Sequence, residues 1–291
     1  MQQHWQARIN EVLQQNYQWS AFAKGSSNQL FKGINQDSSN APALIARING
    51  ANAITPGVNR QREAVLLDEL KHCKWAPQII RNAPEEGWCV MRCYEPLIAK
   101  SLTALQQQQL LAAIAELQRI QPHNPDGLLA IDYHQLILEN YQSLAVQLND
   151  REALEQIAVF ERGLLELPEL PLCLVHHDLH MGNLALDTNT DTESTYSESA
   201  THKQILESSA LQSNKQVIIL DWEYGGLGNA WFDAAAMHRF LKVSPEDLIK
   251  LPAFSTFNTE AFNHGLNAAI RLSETIDALW YWAREINQQC E

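Results

Sequence analysis

The chain has 291 residues, of which 45% are hydrophobic and 19% are charged, values typical of a soluble globular protein long enough for two lobes. The net charge of −13 repels polyanions, and no apolar run approaches the ~20 residues that span a bilayer, so neither nucleic acid nor a membrane is an expected partner. The five cysteines form no Cys-x-x-Cys pair and the first residues lack the pattern of a signal peptide, so we expect a cytoplasmic protein with free thiols.

The N-terminal third is predicted to be a small sheet with one helix. Three short segments separated by Gly, Ser and Asn are typical of hairpin strands, namely residues 19–24, 29–34 and 43–48. Apolar residues at helical spacing then predict a helix within residues 59–72. Two more predicted strands, residues 78–82 and 88–92, are joined by a turn that contains Pro84 and Gly87.

The remainder of the chain is predicted to be largely helical. The helical patterns cover residues 101–120, 132–148, 151–165 and 259–289. We therefore divide the chain into an N-terminal lobe, residues 1–93, and a C-terminal lobe, residues 94–291. The polar, low-complexity residues 187–214 are predicted to form a mobile surface loop, with a substrate lid as the alternative.

Two short apolar segments each deliver an acidic residue into a loop. Residues 170–175 precede His-His-Asp-Leu-His-Met-Gly-Asn, which contains Asp178 and Asn183, and residues 217–220 precede Asp221. This arrangement is that of a kinase catalytic centre, where the first Asp takes or orients a hydroxyl proton and the Asn and second Asp hold Mg²⁺ on the ATP phosphates. Either Asp alone could be a turn residue that ends a strand. Their joint occurrence in this order favours phosphoryl transfer.

These segments resemble the aminoglycoside phosphotransferase/choline kinase superfamily. The resemblance rests on residues 176–183, on Leu-Asp-Trp-Glu-Tyr at 220–224 and on Phe-Asp-Ala-Ala at 232–235, and the second of these is similar to the choline kinase and thiamine kinase branches. It implies an α+β, protein-kinase-like two-lobed fold with an N-terminal antiparallel sheet lobe, a hinge and a largely helical C-terminal lobe. It also implies ATP as co-substrate and Mg²⁺ as cofactor.

The resemblance also assigns nucleotide contacts to the N-terminal lobe. The expected contacts are Arg47, Glu63, Ser26, Ser27, Asn28, Met91 and Cys93. Residues 25–28 stand where the family has its phosphate-covering loop, although a simple turn fits equally well. Arg47 replaces the usual phosphate-binding Lys, and Glu63 is the acid placed to pair with it, the alternative being an exposed helix charge. Residues 90–94 are expected to form the hinge that meets adenine.

Further predicted ligands lie in the C-terminal lobe. The expected metal ligands are Asn183, Asp221 and Glu223, and the expected substrate contacts are Glu223, Tyr224, Trp280 and Trp282. Aromatic faces beside acidic groups suit a quaternary ammonium or thiazolium, although aromatic residues at helical spacing, such as Trp231 and Phe232, are usually core. We expect His176 to be structural, His177 and His180 to make orienting hydrogen bonds, and Asp233 to tie its helix to the catalytic loop.

Together these features predict an ATP- and Mg²⁺-dependent kinase, monomeric or homodimeric, that phosphorylates a small cationic alcohol of the choline, ethanolamine or thiamine type. An aminoglycoside or another sugar-like acceptor is the alternative within this class. A catalytically silent nucleotide-binding protein is disfavoured by the intact Asp178, Asn183 and Asp221. A protein-substrate kinase is disfavoured because the chain lacks the Asp-Phe-Gly and Ala-Pro-Glu signatures.

Overall fold

The structure, a computed structural model, describes residues 4–25, 28–50, 56–123, 127–187 and 215–289, with side chains through residue 286. The chain divides into two compact units, of which the first comprises Met1–Thr55 and Pro77–Cys93 and the second comprises Pro56–Ala76 and Tyr94–Glu291. Among the described residues, no helix has both the length and the apolar character needed to cross a membrane. The predicted loop at 187–214 falls outside the described residues from 188 onward.

A five-stranded antiparallel sheet forms the first unit, as predicted. Its strands are β1 (Tyr17–Lys24), β2 (Asn28–Asn35), β3 (Leu44–Asn49), β4 (Ile79–Ala83) and β5 (Trp88–Arg92), in the spatial order β1-β2-β3-β5-β4. Helix α1 (His4–Leu13), which we did not predict, places Ile9 in the same core as Trp19, Trp88 and Val90. Burial of these large side chains on one face supplies the main driving force for the unit.

The second unit contains two small antiparallel sheets that carry the catalytic segments. Their strands are β6 (Glu95–Pro96), β7 (Cys173–Val175), β8 (Leu184–Leu186), β9 (Val217–Ile219) and β10 (Gly226–Gly228). Strands β6, β8 and β9 form one sheet, and β10 pairs with β7. Leu186 pairs with Val217, and the Asp187 N–H donates to the Gln216 carbonyl at 2.9 Å. The described residues that flank positions 188–214 are therefore hydrogen-bonded to each other.

Helices make up most of the second unit, as predicted. They are α2 (Arg60–Glu69), α3 (Ala104–Leu117), α4 (Tyr133–Ile137), α5 (Ser143–Leu148), α6 (Arg151–Glu166), α7 (Ala230–Leu241), α8 (Pro245–Leu248) and α9 (Thr259–Gln289), with a π-helical turn, Leu138–Gln142, between α4 and α5. Thr103 and Gln106 form a reciprocal capping box that starts α3. The long helix α9 packs along α6 and α7.

The grouping of α2 differs from the sequence prediction, which placed this helix in a lobe spanning residues 1–93. The structure assigns α2 to the second unit. The physical reason is close packing, because a Cβ on Gly225 would lie 2.5 Å from Cδ2 of Leu66. Arg62 also donates from Nε to the Gly225 carbonyl at 3.0 Å. The hydrogen bond joins residues 163 positions apart, a distance along the chain that local sequence patterns do not reveal.

Candidate active site

The catalytic loop leaves β7 at His176 and is anchored at once to helix α7. The backbone N–H groups of His176 and His177 donate to the two carboxylate oxygens of Asp233 at 2.9 and 2.8 Å. Asp233 lies in the first turn of α7 and is almost fully buried. Burial raises the pKa of Asp233 to about 6, although the two N–H donors act in the opposite direction. The predicted tie between this helix and the catalytic loop is confirmed.

The imidazole of His176 joins the two loops that carry the predicted catalytic residues. Its Nδ1 accepts the backbone N–H of Asp178 at 3.2 Å, so the proton lies on Nε2, which donates to the Leu220 carbonyl at 2.8 Å. Burial lowers the pKa of His176, which is therefore neutral at physiological pH. Because Leu220 immediately precedes Asp221, one neutral ring fixes the backbone next to both acidic residues. The predicted structural role of His176 is confirmed.

The carboxylate of Asp178 is held by two side chains of its own loop. Asn183 donates from Nδ2 to the Asp178 carbonyl at 2.9 Å and to Oδ2 at 2.8 Å. His180 accepts the Gly182 N–H at Nδ1, so its protonated Nε2 faces Asp178 Oδ2 at 3.5 Å. Burial raises the pKa of Asp178, but the opposing contributions, led by the hydrogen bond and charge of His180 and including the hydrogen bond from Asn183, together hold the pKa below its usual value. The carboxylate is thus ionised and oriented, as a proton acceptor requires.

Asp221 lies beside this loop, in the left-handed backbone region with φ of 60°. The Leu220 N–H donates to the Asn183 carbonyl at 2.8 Å, which joins the two loops directly. The charges of Asp178 and Asp221 both raise the pKa of His180, so both carboxylates lie within electrostatic reach of that ring. The structure therefore brings the three predicted catalytic residues into one small region.

The donor set of this region suits Mg²⁺. Asn183 uses its amide N–H group for Asp178, and its Oδ1 accepts no hydrogen bond from any residue that the structure describes. The described residues contain no cluster of three or more His, Cys, Asp or Glu side chains that could hold a metal alone. Mg²⁺ commonly takes only one or two protein carboxylates together with phosphate oxygens. One amide oxygen and one carboxylate, from Asn183 and Asp221, fit that pattern.

Glu223 is buried and bound to an arginine of α2. It is 3% exposed, and its Oε2 accepts a hydrogen bond from Nη1 of Arg60 at 2.8 Å. The same guanidinium nitrogen lies 3.2 Å from Oε2 of Glu63. The metal and substrate roles of Glu223 stay predictions, as does the pair of Glu63 with Arg47, because Arg47 belongs to the first unit.

The three aromatic side chains predicted to contact the substrate lie in two different parts of the second unit. Trp280 donates from Nε1 to the Tyr224 hydroxyl at 3.2 Å, so these two side chains meet. Trp282 instead donates to Oδ2 of Asp150 at 2.9 Å, beside the start of α6. A separation of two residues on an α-helix corresponds to a rotation of about 200°. Trp280 and Trp282 therefore lie on opposite faces of α9. The structure thus does not bring Trp282 to the Tyr224 region.

The other aromatic residues near Asp221 belong to the core. Trp222 and Trp231 are almost fully buried, and Trp222 donates from Nε1 to the Ile219 carbonyl at 2.9 Å. Phe232 stacks on Tyr133 with ring centroids 4.9 Å apart. Of the four residues considered in this stretch, Trp222, Tyr224, Trp231 and Phe232, Tyr224 alone remains a candidate for substrate contact.

The predicted nucleotide contacts other than Glu63 lie in the first unit, whereas Glu63 lies on α2 in the second. Asn28 begins β2, and its carbonyl accepts the Gly25 N–H at 2.8 Å, whereas Ser26 and Ser27 fall outside the described residues. Arg47 is buried in β3, where it pairs with Cys89 of β5. In the segment predicted to be the hinge, Met91 pairs with Ile45, the Cys93 N–H donates to Ala43, and burial raises the pKa of the Cys93 thiol. The roles of these residues in nucleotide binding stay predictions.

Sequence reasoning missed two contributors to the site. Tyr133 accepts the Asn229 N–H at 2.8 Å and lies 2.8 Å from Nε2 of His177, and no local motif marks it. Burial lowers the pKa of His177 to about 4, so this ring is neutral, and its Nδ1 donates to the Tyr224 carbonyl at 3.2 Å. Arg60 is the second missed residue. Arg60 lies in the first turn of a helix, where a positive charge is unfavourable, and this position could have identified it in the sequence as a candidate functional residue.

Comparisons with known proteins give one family match for this chain. Residues 18–195 match the family model described as "Phosphotransferase enzyme family" (APH). No protein of curated function matches the sequence.

Solved structures show the fold. A choline/ethanolamine kinase family protein from Mesorhizobium loti has 16% identity and a TM-score of 0.62 over 97% of this chain and 85% of its own. The structure of LicA, a choline kinase from Streptococcus pneumoniae, in complex with AMP has 16% identity to this chain and a TM-score of 0.64. The match covers 98% of this chain and 91% of LicA. The macrolide 2'-phosphotransferase MphH from Brachybacterium faecium has 11% identity and a TM-score of 0.55, over 96% and 94%. These similarities confirm the predicted kinase-like fold.

Proposed function

Because the chain belongs to the phosphotransferase enzyme family, we propose that it transfers the γ-phosphate of ATP to a hydroxyl group of a small cationic alcohol, of the choline, ethanolamine or thiamine type. The observation that carries this proposal is the arrangement of Asp178. Its ionised carboxylate is oriented by Asn183 and His180 and lies in a loop bonded to the one that bears Asp221. A similar structure, that of LicA, is a complex with AMP, which supports a nucleotide as the phosphate donor.

In the proposed reaction Asp178 orients the acceptor hydroxyl and receives its proton. Its lowered pKa keeps it ionised, and the hydrogen bonds from Asn183 and His180 restrict its rotamers. When bound between Asn183 and Asp221, Mg²⁺ would neutralise charge on the phosphate oxygens. The neutral His176 keeps the two loops in register by bonding the backbone beside each acidic residue.

The surroundings of Tyr224 support a cationic acceptor. Burial, and then the charges of Glu223 and Asp178, raise the pKa of Tyr224, so its ring lies within electrostatic reach of both acids. Trp280 adds a second aromatic ring to this position. The guanidinium of Arg284 lies 5.0 Å from the centre of the Trp280 ring, so a cation of the protein already occupies one face of that ring. Tyr224 is therefore the stronger candidate for contact with the acceptor.

The test compares choline with 3,3-dimethylbutan-1-ol, in which a carbon atom replaces the charged nitrogen. A desolvated cation–π contact contributes about 0.5–2 kcal/mol, which corresponds to roughly 2- to 30-fold in kcat/KM in favour of choline. Thiamine, ethanolamine, an aminoglycoside and a macrolide complete the panel, and formation of ADP is measured with saturating Mg-ATP.

The control is Asp178→Asn, which should bind ADP as the wild type does but turn over about 10²–10⁴-fold more slowly, the usual contribution of a positioned general base. Equal use of choline and its neutral analogue would refute recognition of the positive charge, and activity on the aminoglycoside or macrolide alone would refute an acceptor of the choline, ethanolamine or thiamine type. Wild-type turnover by Asp178→Asn would refute the assignment of the catalytic residue.

A further inference from the structure

The first turn of α2 carries two arginines where a helix normally favours acidic residues. Arg60 and Arg62 are the first and third residues of this helix, and the partial positive charge of a helix N-terminus opposes both of them. Both side chains are also buried. Burial of a guanidinium group is unfavourable unless specific partners replace its water. The groups that bind these two side chains therefore indicate which part of the protein the first turn of α2 stabilises.

Both arginines bind the segment that follows Asp221. Arg60 donates from Nη1 to Glu223 at 2.8 Å, and Arg62 donates from Nε to the Gly225 carbonyl at 3.0 Å. Leu66, one turn further along α2, packs so closely on Gly225 that a Cβ there would lie 2.5 Å from it. The first two turns of α2 thus cover residues 223–225 with an ion pair, a backbone hydrogen bond and a packing contact.

Asp221, two residues before the segment that α2 covers, has a strained backbone. Asp221 has φ of 60°, a conformation that residues other than glycine rarely adopt. Such a conformation persists only where the surroundings determine it. On one side the Leu220 carbonyl is bonded to His176, and on the other Glu223 is bonded to Arg60. The backbone of Asp221 is thus held by one anchor from the catalytic loop and one from α2.

We propose that Arg60 is a positioning residue that sets the affinity for the metal–nucleotide pair, because its bond to Glu223 holds Asp221 in its strained conformation. The proposal rests on the function proposed above. Arg60 itself need touch neither nucleotide nor acceptor. Loss of its bond frees Glu223 and lets the Asp221 backbone relax, which moves a predicted metal ligand. Asp178 is held by separate bonds from Asn183 and His180, so proton acceptance should change little.

The experiment measures ADP binding by calorimetry over a series of Mg²⁺ concentrations, together with KM for the acceptor. Arg60→Met should raise the Mg²⁺ concentration needed for half-maximal ADP binding about 10- to 100-fold, the usual effect of losing a group that orients a metal ligand. KM for the neutral acceptor 3,3-dimethylbutan-1-ol should change less than about two-fold, because Arg60→Met alters only the charge balance around Glu223 and removes no group that binds a neutral alcohol. Arg60→Lys keeps the positive charge but loses the planar guanidinium group. Its Mg²⁺ concentration for half-maximal ADP binding should lie between those of the wild type and Arg60→Met.

Two further variants separate positioning from general loss of stability. Thr103→Ala removes the capping box of α3 and lowers stability, but should leave the Mg²⁺ dependence of ADP binding unchanged. The double variant Arg60→Met/Glu223→Gln removes both charges of the pair and should recover part of the stability lost by Arg60→Met. If the pair positions Asp221, the double variant still needs more Mg²⁺ than the wild type.

The outcomes distinguish this inference from the proposed function. Absence of Mg²⁺-dependent ADP binding in the wild type would refute the proposed function and this inference with it. A wild type that binds Mg-ADP and phosphorylates an acceptor, beside an Arg60→Met variant with the same Mg²⁺ dependence, would refute the inference alone. If Arg60→Met does not fold, Arg60→Lys is judged by the same criterion.

Discussion

Replacing Asp233 with asparagine should remove one component of the pH dependence of stability. The Asp233 carboxylate is almost fully buried beneath the start of the catalytic loop and accepts the backbone N–H groups of His176 and His177. Burial raises its pKa from 3.8 to about 6. Asparagine has nearly the same shape and retains one acceptor oxygen, but it does not titrate. The comparison therefore isolates the titration of this one group.

The sign follows from the direction of the shift. Between pH 4 and pH 6 the folded state holds a proton on Asp233 that the unfolded state has lost. This group's contribution to stability is therefore fully present below pH 4 and is lost as the pH rises through 6. A shift of about two pKa units corresponds to roughly 3 kcal/mol in total, of which about 2 kcal/mol falls between pH 4 and pH 7.

The assay is urea unfolding at pH 4 and pH 7, on either side of the sequence pI of about 5.2. Because the chain has two compact units, tryptophan fluorescence and circular dichroism must give coincident transitions before a free energy is taken. From pH 4 to pH 7 the stability of the wild type should fall by about 2 kcal/mol relative to Asp233→Asn. Asp37→Asn removes an exposed carboxylate and serves as the control. An equal pH dependence in the wild type and Asp233→Asn would refute the reasoning.

Three further changes test other parts of the site. Asp221→Ala should abolish the Mg²⁺ dependence of ADP binding in calorimetry, because a metal-binding carboxylate is lost; an unchanged dependence would contradict its role. Tyr133→Phe should lower the free energy of unfolding by about 1–3 kcal/mol, because the buried Nε2 of His177 loses its hydrogen-bond donor; a smaller loss on urea unfolding would contradict the assigned bond. Trp280→Ala should raise KM for a cationic acceptor more than KM for ATP, whereas Trp282→Ala should lower stability with KM unchanged; equal effects of the two variants on KM would contradict their separation on α9.

The sequence predicted the parts of the site that depend on neighbouring residues. Asp178 and Asn183 lie in one loop that directly follows a strand. The spacing of these residues is a local pattern, so it was enough to identify the catalytic loop. Arg60 and Glu223 are 163 residues apart, so their bond depends on how α2 packs, which no local pattern states. Trp282 was assigned with Trp280 because the two are close in sequence, although helical rotation places them apart.

The fold was predicted with similar strengths and gaps. The five strands of the first unit were recognised from short β-prone segments between turn residues. Helix α1 was missed although Trp5, Ile9, Val12 and Leu13 recur at helical spacing and pack on the core of that unit. Strands β6, β8 and β10 have two or three residues each, too few to show a period.

The hydrogen-bonded ends of the β8–β9 connection have a consequence for protein engineering. Strand pairing between Leu186 and Val217, together with the bond from Asp187 to Gln216, already joins the strands that lead from Asn183 and towards Asp221. The connection between residues 188 and 214 is therefore not needed to hold these two side chains together. A reporter domain could be inserted there at an entropic cost that grows by only ~0.6 kcal/mol per doubling of loop length.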